Sequence, residues 1–128
     1  MIAITADDVQ LYEKICKQIM DLDPKIRFVG VITQMGKLIA GGTRQGIKLL
    51  VSQDKHEMLF MEVALRIRMR HEFDLVLGPV NFTVSHRDNV VMSIPYRDKI
   101  LYLSAERDID LCGTPQKIIE LIRRPITT

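Results

Sequence analysis

The chain has 128 residues, of which 47% are hydrophobic and 27% charged, and its formal net charge is +2. This composition excludes a disordered chain, and so small a net charge gives no indication of nucleic-acid binding. The length predicts a single domain over residues 1–128. The chain has two cysteines, no signal-peptide core and no apolar run of about 20 residues. We therefore expect a cytoplasmic protein with free thiols and no membrane partner.

The first predicted element is a helix from Ala6 to Asp21 with one apolar stripe. Thr5 is its expected N-cap, and Asp8 has the spacing of a capping box. Residues 28–42 then predict a hairpin of β-branched strands, in which Gly36 supplies the positive φ of the turn.

Residues 43–52 connect this hairpin to a long helix that we expect from Lys55 to Phe73. For the connection, a helical turn is the alternative to an irregular loop. The long helix is apolar on more than one side, whereas a surface helix normally carries one apolar stripe. This pattern predicts two packing partners for the helix, one of them the sheet.

Three strands are predicted next, and their hydrophobic pattern specifies the register. A three-residue loop at 87–89, with Asn89 left-handed, pairs Val84 with Met92 and extends to a Phe82–Ile94 pair. The alternative two-residue turn would mix polar and apolar side chains on both faces. With a second turn at 97–98, one face becomes wholly apolar: Phe82, Val84, Val90, Met92, Ile94, Leu101, Leu103 and Ala105.

Thr114 followed by Pro115 predicts the start of a last helix, which Pro125 would stop. The element order is therefore helix, two strands, helix, three strands, helix. The predicted fold class is α+β, with one five-stranded antiparallel sheet and helices on both of its faces.

Residues that could support catalysis or metal binding do not combine into a site. Cys16 lies on the apolar stripe of the first helix, and adjacent Ser85 and His86 should point to opposite faces of a strand. The glycine-rich loop at 41–46 lacks the spacing of a phosphate-binding loop. The histidines and cysteines show no metal-ligand spacing. We therefore predict no enzymatic activity, no metal and no cofactor.

Arg66 and Arg70 share one face of the long helix at four-residue spacing. Such a face is commonly just solvated, and the alternative is that it binds an acidic partner. We predict the second role for this pair, because matched charges raise association rates more than stability.

The hairpin at 28–42 resembles that of the Roadblock/dynein-light-chain family, whose domains have a profilin-like α/β fold. The resemblance rests on an apolar strand with a glycine, a short glycine turn and a second strand ending in small residues. These residues are Gly30, Gly36, Leu38, Ile39, Ala40, Gly41 and Gly42. The element order is similar over nearly the whole chain, and residues 58–70 look like the helix of an uncharacterised archaeal branch. The resemblance implies a non-enzymatic homodimer that regulates a small GTPase or serves as a scaffold.

The same resemblance implies that the third strands of two copies pair edge to edge and that their long helices pack together. Residues 81–86 contain no Lys or Pro, which commonly protect a free edge. The expected interface comprises Met58, Met61, Leu65, Phe82, Thr83, Val84 and Ser85.

A second hypothesis is a small-molecule sensor on a profilin-like or PAS-like sheet, with a pocket between the sheet and the long helix. Such a pocket needs polar groups that converge in an apolar cleft. The candidates are His86 and Tyr102, which we expect on opposite sheet faces. A monomeric protein would favour this hypothesis over the dimeric regulator.

Overall fold

The computed structural model describes residues 4–124. Its elements are α1 (Ala6–Met20), β1 (Ile26–Ile32), β2 (Leu38–Thr43), α2 (Gln53–Arg70), a 3-10 turn (His71–Phe73), α3 (Asp74–Leu77), β3 (Thr83–His86), β4 (Asn89–Tyr96), β5 (Lys99–Glu106) and α4 (Gly113–Arg123). The strands form one antiparallel sheet in the order β2-β1-β5-β4-β3. The predicted α+β class and element order are confirmed.

Helices cover both faces of the sheet, as predicted. On one face, α1 and α4 enclose the larger core, in which Ile19, Val29, Met92, Leu103 and Ile118 are fully buried. On the other face, α2 packs a smaller core that consists of Phe28, Ile32, Phe60, Ala64, Ile100 and Tyr102. The sheet is thus buried at its centre, and β2 and β3 are its two edges.

The predicted register of the C-terminal strands is confirmed, since Val84 pairs with Met92 and Met92 with Leu103. Strand β3 begins at Thr83, so the predicted pairing of Phe82 with Ile94 is not formed. Asn89 is not left-handed: Arg97, at φ 54°, is the one non-glycine residue with a positive φ among residues 4–124. Asn89 instead pairs with Glu106 and begins β4.

The first helix begins as predicted, with Thr5 as N-cap and a complete capping box with Asp8. The predicted cap of α4 is wrong, because that helix already begins at Gly113 and Thr114 is buried within it. The carboxylate of Asp110 accepts hydrogen bonds from the backbone N–H groups of Gly113 and Cys112, which lower its pKa. The predicted stop at Pro125 lies outside the described residues.

The long helix begins two residues before the predicted start, with Ser52 as N-cap, and ends at Arg70. Helical turns continue to Leu77, so the chain remains coiled beyond the predicted end at Phe73. The connection at 44–52 is irregular and contains no helical turn.

The turn between β1 and β2 holds α2 at a close distance to the sheet. Gly36 has φ 82°, and a Cβ atom added there would lie 2.6 Å from the Cα atom of Met61. Only glycine permits both this backbone conformation and this approach. The turn glycine therefore positions α2, as well as permitting the predicted hairpin.

Candidate interaction face

Helix α2 carries an apolar stripe whose side chains stay largely exposed in the described part of the chain. The stripe consists of Met58, Met61, Leu65 and Met69, whose exposed fractions are 65%, 59%, 50% and 63%. The opposite side of the helix is occupied, since Phe60 and Ala64 pack on the sheet. The predicted second apolar side of this helix is confirmed, and contiguous exposed apolar surface of this kind marks interaction sites.

The apolar surface continues beyond the C-terminal end of α2. Phe73, Leu75, Val76 and Leu77 are all exposed in the two helical turns that follow. Apolar surface exposed to water is unfavourable by about 25 cal/mol per Å². Covering these side chains with a partner would therefore stabilise the complex.

Strand β3 lies next to the C-terminal half of α2 and forms an open edge of the sheet. Its position is held by the guanidinium of Arg70, which donates a hydrogen bond of 2.6 Å to the hydroxyl of Thr83. Phe82 and Val84 pack into the larger core, whereas Thr83 and Ser85 are partly exposed on the α2 side. The remaining hydrogen-bonding groups of this edge are available to another strand.

The two arginines that the sequence singles out are already engaged within the chain. Arg66 lies 3.1 Å from a carboxylate oxygen of Glu62, four residues earlier on the same helix. Arg70 bonds Thr83 and is partly buried. Arg66 is half exposed and is therefore the more accessible cation of the pair.

A cleft of about 370 Å³ separates α2 from the β3 side of the sheet. Its floor includes Tyr102 and Ser104, one wall is α2, and the other is the 47–51 segment of the connection. Burial raises the pKa of the Tyr102 phenol to about 12, with a smaller contribution from the nearby carboxylate of Glu62. The phenol is therefore a neutral hydrogen-bond donor at physiological pH.

An aromatic cluster closes one end of this cleft. The ring of His56 lies with its centroid 4.4 Å from that of Phe60, 4.5 Å from Phe28 and 5.7 Å from Tyr102. Burial lowers the pKa of His56 below its ordinary value. The other candidate for a pocket, His86, is exposed and lies on the opposite sheet face from Tyr102, as predicted. The spacing of four residues between His56 and Phe60, on one helix face, is the signal that could have identified His56.

The residues considered for catalysis are buried or kept apart in the folded chain. Cys16 is buried in the larger core, where burial raises its thiol pKa to about 12, so it is a poor nucleophile. Ser85 and His86 occupy successive positions of β3 and so face opposite sides. The guanidinium of Arg44 turns inward to three backbone carbonyls, which leaves the 41–46 loop without a cation for phosphate.

Two further observations concern metals and membranes. Within residues 4–124, no cluster of three or more His, Cys, Asp or Glu side chains is arranged to hold a metal ion. Over the same residues, no helix combines the length and the apolar character needed to cross a bilayer.

The fold is that of a Roadblock domain. The chain is similar to a Roadblock/LC7 domain from Streptomyces avermitilis, with TM-score 0.66, 10% identity and coverage of 87% of this chain and 91% of that one. It is also similar to the gliding protein MglB from Thermus thermophilus, with TM-score 0.75, 11% identity and coverage of 95% and 89%. A structure described as MglB with tetrameric arrangement gives TM-score 0.75, 10% identity and coverage of 96% and 90%.

Within that fold, the chain belongs to the family described as "Family of unknown function (DUF6659)", whose model matches residues 4–126. No curated protein matches the chain. At identities of 10–11%, the likeness to the solved structures shows the fold alone.

Proposed function

We propose that this protein is a non-enzymatic, homodimeric regulator or scaffold that acts in the cytoplasm. One observation carries the proposal: the apolar stripe of α2 is 50–65% exposed beside a sheet edge that is also free. The fold similarity to an MglB structure with tetrameric arrangement supports self-association. The Roadblock resemblance supports a role on protein partners, with a small GTPase as the partner class and an archaeal branch as the source.

A two-fold contact would cover both exposed features at once. In such an isologous dimer, the β3 edge pairs with its own copy while Met58, Met61 and Leu65 pack against their copies. Permanent dimers of this kind bury large and predominantly apolar areas. The proposed interface residues at this edge are Phe82, just before β3, and Thr83, Val84 and Ser85 within it. Phe82 and Val84 would act through their backbone, since their side chains pack in the core.

Arg66 and Arg70 would then lie beside the dimer contact and face an acidic partner. Arg66 is the better candidate, because its partner Glu62 is exposed and such surface pairs contribute little to stability. Arg70 also holds β3 through Thr83, so it serves the fold in addition.

Sedimentation equilibrium at micromolar concentration tests the dimer. We expect the wild type to sediment as a dimer and M61D/L65D as a monomer, because an unpaired carboxylate buried in an apolar contact costs several kcal/mol. The matched control is Q18D, an exposed position on α1 at the other face of the sheet, which should remain dimeric. A wild-type protein that sediments as a monomer contradicts the proposal.

A further inference from the structure

The cleft between α2 and the β3 side of the sheet has the features of a ligand site. We propose that it binds a small amphipathic monocarboxylate, whose apolar chain or single ring lies on the floor of the cleft and whose carboxylate meets the rim. This site is separate from the apolar stripe of α2. The proposal therefore does not depend on self-association.

The floor of the cleft consists of one row of side chains across four strands, with Tyr102 beside it on β5. Phe28 pairs with Ser104, Ser104 with Val91, and Val91 with Ser85. Helix α2 covers Phe28 but leaves the other three partly exposed. Neighbouring strands are about 4.8 Å apart, so the three strand spacings of the row span about 14 Å. The floor is thus an elongated strip of alternating apolar groups and hydroxyls.

The walls of the cleft are apolar, and its size suits a small molecule. Leu59 and Val63 of α2 form one wall, and Leu49, Leu50 and Val51 of the connection form the other. Its volume of about 370 Å³ lies within the range of roughly 300–1,000 Å³ typical of ligand pockets. An apolar body seated here would displace water from both walls, which is the main source of affinity in such pockets.

Uncharged polar groups converge on this strip. The hydroxyls of Tyr102, Ser85 and Ser104 line the cleft and make no side-chain hydrogen bond within residues 4–124. Ser85 and Ser104 are partly exposed, and Tyr102 is 1% exposed, so its hydroxyl reaches the cleft only at the surface of the floor. They can donate to a ligand oxygen. A few such donors in an apolar pocket set the orientation of a ligand.

The charges at the rim favour an anion. Of the acidic groups, Glu62 is 3.1 Å from Arg66 and Asp88 is 3.9 Å from Arg107, and both arginines lie outside the cleft. Lys48 and Arg87 line the cleft without an ion pair among residues 4–124. The lining carries three cationic side chains, Arg27, Lys48 and Arg87, against two acidic ones, Glu62 and Asp88. Hydrogen bonds from cations to a carboxylate are stronger than those between neutral groups.

Isothermal titration calorimetry with octanoate and 3-phenylpropionate tests the site, with octanamide and 3-phenylpropanamide as neutral comparisons. We expect one saturable site per chain and at least tenfold tighter binding of one acid than of its amide. The acid with the higher affinity shows whether the site prefers an alkyl chain or an aromatic ring. The charge reversal K48E/R87E should abolish the preference for the acid, whereas K117E on α4, at the other sheet face, should not change it.

Variants of the cleft floor distinguish binding inside the cleft from nonspecific attraction of an anion to surface charge. Y102F and S104A remove one hydroxyl each with almost no change in volume, and each should weaken binding of both acid and amide several-fold. The proposal is wrong if wild type shows no saturable binding, or if affinity is unchanged in K48E/R87E and in both floor variants. It is also wrong if only the M61D/L65D monomer binds, because a second copy would then fill the cleft.

Discussion

Arg44 joins three segments of backbone through one side chain. Its guanidinium donates to the carbonyl oxygens of Ile26 at 2.7 Å, Met20 at 2.7 Å and Asp23 at 2.8 Å. These carbonyls belong to the end of α1, the following turn and the start of β1. A single planar group that donates in several directions is a property of arginine that lysine does not share.

We predict that R44M lowers the free energy of unfolding by roughly 2–3 kcal/mol, since hydrogen bonds from a charged donor contribute about 1.5–3 kcal/mol each and water recovers part of the loss. R44K should recover only part of the stability. Urea unfolding measures the change. The matched control is R107M, whose arginine is exposed and 3.9 Å from Asp88, and which should change stability by less than about 0.5 kcal/mol. Equal effects of the two methionine variants would contradict a clamp role for Arg44.

His56 gives the stability a dependence on pH. Burial lowers its pKa in the folded protein, and the rings of Phe28, Phe60 and Tyr102 lie against its imidazole. The unfolded chain therefore takes up the proton at a higher pH than the folded protein does. This contribution to stability is present above the unfolded pKa of about 6.5 and is lost as pH falls through the folded pKa.

We expect the melting temperature, followed by circular dichroism, to fall between pH 7.5 and pH 5, and to fall less in H56Q. The control H86Q removes an exposed histidine at the other sheet face and should retain the wild-type slope. An unchanged slope in H56Q would assign the pH dependence to other groups.

At the scale of elements, the docking of α2 depends on the turn between β1 and β2. Gly36 and Gly46 have nearly the same positive φ, 82° and 84°, but only Gly36 touches the helix backbone. A methyl group at Gly46 would meet nothing within 4 Å. Alanine variants at the two glycines therefore distinguish the cost of a positive φ from the cost of a steric contact with α2.

We predict that G46A lowers the free energy of unfolding by about 1–2 kcal/mol, the cost of a left-handed alanine. G36A should lower it by a further 1–3 kcal/mol or so, because α2 must move away from the sheet. Urea unfolding gives both values, and near-ultraviolet circular dichroism reports the aromatic cluster under α2. Equal losses of stability in the two variants would show that the close contact between Gly36 and Met61 does not constrain the docking of α2.

The elements themselves were largely predictable because their signals are local. The capping box of Thr5 and Asp8, the turn glycine and the alternation in β4 and β5 all act within a few residues. The errors lie at boundaries, where a more distant group decides. The Asp110 carboxylate accepts the N–H groups of Cys112 and Gly113 at the start of α4, where Thr114 was the expected cap. The pairing with β5 extends β4 back to Asn89 and prevents its left-handed conformation.

At the scale of the whole molecule, the prediction of self-association follows from a surface that one chain cannot cover. The sheet has two faces, and both are occupied by helices of the same chain. The apolar stripe of α2 and the β3 edge remain on the outside. A second copy is the simplest partner, because a two-fold axis brings identical apolar surfaces and identical edges together.

The sequence by itself determined the fold class, the register of the C-terminal strands and the second apolar side of α2. Each of these follows from periodicity, which a single chain displays residue by residue. Only the tertiary structure decided that the ring of His56 meets Tyr102, and that the guanidinium of Arg44 donates to three backbone carbonyls. It also decided that the serines of β3 and β5 share one cleft floor. These contacts join residues far apart in sequence, and their geometry depends on how helices pack on the sheet, which no local pattern encodes.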